Sequence, residues 1–152
     1  MKAWLLIAAL LFPCVVDAKR SVEYCPALPA QSGLVWEYLE GGDFIGFIAI
    51  RLSDNARLFG VYLGQHPSFN TDPSKRRAKG TIGGRAAHWQ LPRPGSNDGV
   101  VLEAHVQIQA MEPDPPLQSV VWVYTSHRSN YDEAFRAIAR MRFRDNWWRS
   151  PN

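Results

Sequence analysis

Cysteine is scarce in this chain of 152 residues, which has only Cys14 and Cys25. Cys14 lies in an apolar N-terminal run. If that run is cleaved, Cys25 remains alone and no internal disulfide can form. Cys25 is then either a partly buried thiol near the N-terminus or a pairing site for another chain.

Long apolar runs are equally scarce. Met1–Lys2 is a short basic start, and Ala3–Val16 is apolar. That run suits the hydrophobic segment of a signal peptide and is too short to span a bilayer. Val16-Asp17-Ala18 offers small residues for cleavage before Lys19. The expectation is a signal peptide over residues 1–18 and a secreted or periplasmic product. Pro13 stands before Cys14, where a lipidated cysteine needs a small residue.

Strong charge of one sign is missing. The net charge is +3, and removing residues 1–18 takes away one cation and one anion. That balance permits contact with an anionic surface but does not argue for a nucleic-acid partner.

Catalytic signatures are missing too. There is no G-x-S-x-G elbow, no H-E-x-x-H pair and no Gly-Lys-Ser/Thr phosphate loop. The acids are scattered, so no carboxylate pair for glycoside hydrolysis emerges from spacing. No cofactor and no metal site are expected.

What is present is strand-forming sequence. Val120, Trp122 and Tyr124 alternate with Val121, Val123 and Thr125, a β-branched and aromatic pattern. Ser129 and Asn130 each precede an acid by three places, which predicts a helix N-terminus. Tyr131, Ala134, Phe135, Ile138 and Met141 then recur at helical spacing. The expectation is that this stripe packs on Trp122 and Tyr124.

Upstream, Leu34–Glu40 fits a strand or a helix stopped by Gly41-Gly42, and strand is preferred. Phe44–Leu52 and Leu58–Leu63 read as a hairpin around Ser53-Asp54-Asn55-Ala56. The first of these strands is apolar on both faces, which requires cover on both or a place beside an apolar cleft. Gly64–Lys79 shows no period and reads as a long loop. A short strand around Arg85–Leu91 follows. Gly99–Ile108 reads as a half-solvated strand, with Glu103, His105 and Gln107 outward. Met111–Leu117 is proline-rich loop.

The fold class is therefore α+β, a five- or six-stranded, mostly antiparallel sheet with a C-terminal helix on one face. Residues 19–33 read as an N-terminal arm, 34–144 as one domain and 145–152 as a tail carrying Trp147-Trp148. Trp89, Trp122, Phe59 and Tyr124 are assigned to the core.

Two constellations carry chemistry. Lys75, Arg76, Arg77, Lys79 and Arg85 place five cations in eleven residues beside the glycine-rich stretch Gly80–Gly84. They form either a solvated loop or an anion-binding loop. His88, His105 and His127 fall on separate predicted strands, with Glu103 beside His105. They are either exposed side chains or parts of an assembled enzyme site. The functional expectation is an exported binding or accessory protein that contacts anionic lipid, a glycan or an envelope protein. The alternatives are an enzyme built on His88, His105 and Glu103, or a secreted inhibitor or immunity-type protein.

Overall fold

The structure is a computed structural model. It describes residues 25–41, 44–64, 72–92, 99–107, 118–124 and 128–143. The segment 1–18, His127 and Trp147-Trp148 lie outside the described residues.

Seven strands form one antiparallel sheet. They are β1 (Leu34–Glu40), β2 (Phe44–Arg51), β3 (Arg57–Gly64), β4 (Arg76–Ile82), β5 (Arg85–Gln90), β6 (Leu102–Gln107) and β7 (Gln118–Val123). The helix α1 (Arg128–Arg140) follows. Spatial order is β1-β2-β3-β7-β6-β5-β4. Two meanders, β1–β3 and β4–β7, thus meet in the middle along β3 and β7.

This is the expected α+β arrangement, with seven strands where five or six were expected. The added strand is β4, which occupies sequence read as loop. Leu34–Glu40 is a strand, as preferred.

One rung explains the core. Tyr38, Phe47, Val61, Val121, Ala104, Trp89 and Ala78 stand opposite one another across all seven strands. Side chains on one rung share a face, and this rung is apolar or aromatic throughout. Phe47, Phe59, Val61, Val121, Val123 and Ala104 are wholly buried on that face.

A register shift between Ala49 and Ile50 leaves Leu58 without a partner on β2, while its carbonyl accepts from the Tyr124 N–H at 3.1 Å. Such a bulge re-aims side chains. Leu58 and Phe59 are both buried, while Arg57 reaches Glu37 at 3.1 Å.

α1 covers this face. Ala134, Ala137 and Ile138 are buried, and Phe135 meets Trp89 edge-on at 4.9 Å. The expected contact with Trp122 and Tyr124 is not made. Trp122 stands opposite Gly60 and Glu103, one residue out of step with the core rung, and so lies on the other face. Its indole lies where a side chain at position 60 would sit, so glycine there makes room for the ring. Tyr124 contacts Trp122 on that face at 5.9 Å.

Both ends of α1 are fastened. The helix starts at Arg128, so Ser129 and Asn130 fall inside its first turn rather than capping it. Asn130 Oδ1 instead accepts from Arg51 Nη2 at 3.1 Å. Arg51 also donates to Glu133 and, through Nη2, to Asp54 Oδ2 at 2.7 Å. At the far end, the Gly83 N–H donates to the Ile138 carbonyl at 3.0 Å. This satisfies one of the carbonyls a helix C-terminus leaves open.

Residues 25–33, read as part of an arm, are held to this body. Ala27 and Arg142 exchange backbone bonds of 2.9 and 3.0 Å, and Trp36 Nε1 donates to the Pro26 carbonyl at 2.7 Å. Cys25 is buried beside them.

Two predictions follow from the helix seat. Ile138→Ala leaves a cavity under α1 and should cost about 2–5 kcal/mol, read as a lower urea midpoint at unchanged slope. The second concerns acid. Hydrogen bonding to Arg51 lowers the Asp54 carboxyl from its usual value to about 2. A carboxylate depressed by folding stabilises fully above its unfolded pKa of about 4 and loses that contribution as pH falls through the folded value. Asp54→Asn should therefore lose less melting temperature than the parent chain between pH 4 and pH 2. Equal losses would mean that the Arg51–Asp54 pair does not support the fold.

Candidate functional site: a basic edge strand

The five cations singled out in the sequence sit on regular structure, not on a loop. Asp72 shapes the approach. Its carboxylate accepts from the Ser74 backbone N–H at 2.9 Å and from the Ser74 hydroxyl at 2.8 Å. Those bonds lower its pKa. A 3-10 turn, Pro73–Lys75, follows, and the Lys75 carbonyl accepts from the Leu91 N–H at 3.1 Å. The chain then enters β4, which among the described residues borders only β5 and forms one edge of the sheet.

β4 and β5 turn back on each other through Gly83-Gly84. Both glycines have positive φ, +55° and +78°. That is the geometry of a two-residue hairpin turn, and only glycine adopts it freely at both positions. Ile82 and Arg85 close the turn. In such a hairpin the closing pair is hydrogen-bonded, and bonded pairs then alternate with unbonded ones. Lys79–His88 and Thr81–Ala86 are the unbonded pairs. The backbone N–H and C=O of Lys79 and Thr81 therefore point away from β5, toward the open edge.

The side chains follow the same geometry. Arg76 and Lys79 stand opposite Gln90 and His88, on the face that α1 does not cover. A register shift between Arg76 and Ala78 leaves Arg77 out of the pairing. Lys75, Arg76, Arg77 and Lys79 are all exposed. Arg85 is exposed as well, but it lies past the turn and shares the helix side with Ile82. The structure thus gathers four of the five cations into one line and sets the fifth apart.

These cations differ from Arg51 and Arg57. Arg51 is engaged by Asp54 and Glu133, and Arg57 by Glu37. Among the described residues, no acidic side chain pairs with Arg76, Arg77 or Lys79.

The chain matches no known protein family, no curated protein and no solved structure.

The histidine constellation is only partly assembled. His88 on β5 and His105 on β6 belong to the face without the helix, and so does Glu103. His88 is exposed and His105 half-buried. Glu103, expected in solvent, is 4% exposed and accepts from Gln90 Nε2 at 3.5 Å. Among the described residues, no three His, Cys, Asp or Glu side chains come close enough to hold a metal ion.

Phe44 and Tyr62 stack at 5.2 Å on the same face, and Ile48 is buried there. This accounts for the second apolar side of β2. A shallow groove of about 210 Å3 lies elsewhere, between Pro29–Ser32 and the α1 residues Glu133, Arg136 and Arg140.

Sequence reading missed Thr81 as an edge residue. The available signal was Gly83-Gly84 between two six- or seven-residue segments, a hairpin signature.

Proposed function

We propose that this chain is an exported binding protein, periplasmic or secreted, whose β4 edge docks an anionic partner. The observation that carries this reading is the exposed row Arg76, Arg77 and Lys79, which makes no ion pair among the described residues while Arg51 and Arg57 are engaged by acids. Charged residues on an edge strand also discourage strand-to-strand aggregation. That protective role needs no ligand, so the two readings part on binding.

An anionic lipid surface, an acidic glycan and an acidic protein segment all offer the required charge. Attraction of this kind acts over about a Debye length and weakens with salt.

The test is the triple variant Arg76→Gln, Arg77→Gln, Lys79→Gln, with its fold checked by circular dichroism. Binding is measured to phosphatidylglycerol vesicles, dextran sulfate and an acidic peptide at low and at 0.3 M salt. At about 1 kcal/mol per cation near an anionic membrane, the three substitutions should weaken binding by about a hundredfold. Added salt should weaken the parent in the same direction. Unchanged binding to all three probes would sink the proposal.

A further inference from the structure

The β4 edge offers more than charge. Lys79 and Thr81 direct backbone donors and acceptors outward, and no hydrogen bond among the described residues uses them. Such an edge is a template for one more strand. Resting on the binding reading above, we infer that the anionic partner is an extended acidic polypeptide segment that joins the sheet as an eighth strand beside β4.

Charge complementarity selects this occupant. An incoming strand places side chains directly opposite Arg77, Lys79 and Thr81, where opposite charges attract and like charges repel. Acidic residues in the incoming strand are therefore favoured. A second copy of β4 is disfavoured, because self-pairing brings two edges of like charge together.

The other edge of a second copy is β1, where part of the acidic charge is already engaged. β1 carries Glu37, which already faces Arg57 at 3.1 Å. Lipid and sulfated glycan meet the charges equally well but have no backbone to use the outward amides. The Asp72–Ser74 turn and the Gly83-Gly84 turn fix both ends of β4, so the edge is already extended before a partner arrives.

The experiment uses the full chain and a fluorescent peptide of alternating Glu and Val, followed by anisotropy. Two further peptides of the same charge carry N-methyl groups on alternate residues, one in each register. A strand pairs through only one register, so one methylated peptide should bind at least tenfold more weakly and the other should bind as the parent peptide does. Thr81→Pro removes one outward donor and keeps every cation. It should weaken the peptide at least tenfold while leaving dextran sulfate binding unchanged.

Equal binding of both methylated peptides, or equal loss of peptide and dextran sulfate in Thr81→Pro, would overturn the inference. So would self-association of the chain that the triple Gln variant abolishes. Binding of vesicles or dextran sulfate but not the peptide, lost in the triple variant, would overturn the eighth strand and leave the anionic-partner reading intact. Failure of every probe would remove both.

Discussion

The structure depends on how α1 is seated across one face of the sheet. Burial supplies the energy. Ile138 is fully enclosed, and burying a side chain of that size contributes about 1.5–3 kcal/mol. Phe135 adds its edge-on contact with Trp89. The polar contacts at the helix ends do something different. Exposed ion pairs are individually weak, so the Arg51 cluster with Asp54, Asn130 and Glu133 sets direction more than stability. Gly83 does the same at the other end, through its bond to the Ile138 carbonyl.

That second anchor links the core to the candidate site. The residue that receives the helix end is also half of the turn that forms the β4–β5 hairpin. Helix packing therefore holds the hairpin from its inner side. The cations on β4 do not contribute to the core and are not displaced by it. Ile82, at the end of the same strand, is wholly buried. β4 is thus held at both ends and along one face, which leaves its cations exposed.

Most of the fold was legible because most strands repeat a simple pattern. β2, β3 and β7 are dense in aromatic and β-branched residues, and α1 shows a clear stripe. Two things were not legible, for separate reasons. β4 begins Arg-Arg-Ala-Lys-Gly, a composition that fits no buried strand. It becomes a strand because, among the described residues, it pairs on one side only and because Gly83-Gly84 returns the chain beside it. The face of Trp122 was a question of parity. A period of two names two sets of residues and does not say which set meets the helix. Val121 and Val123 are small enough to lie beneath α1, and the larger Trp122 lies across Gly60 instead. The burial of Glu103 follows from that placement, since the two share a rung and Gln90 supplies a hydrogen bond from the next strand.

The two edges of this sheet pose the same physical problem and meet it differently. Each exposes backbone groups that attract another strand. On β1 the acid Glu37 is answered from within the chain by Arg57, which the β3 bulge turns to that side. On β4 the cations make no ion pair among the described residues. A row of one sign repels copies of itself and admits its opposite, so the residues that keep the edge from self-pairing also choose what joins it. The binding reading rests on that asymmetry between the edges. It is a property of arrangement, since a net charge of +3 over the whole chain gives no hint of it.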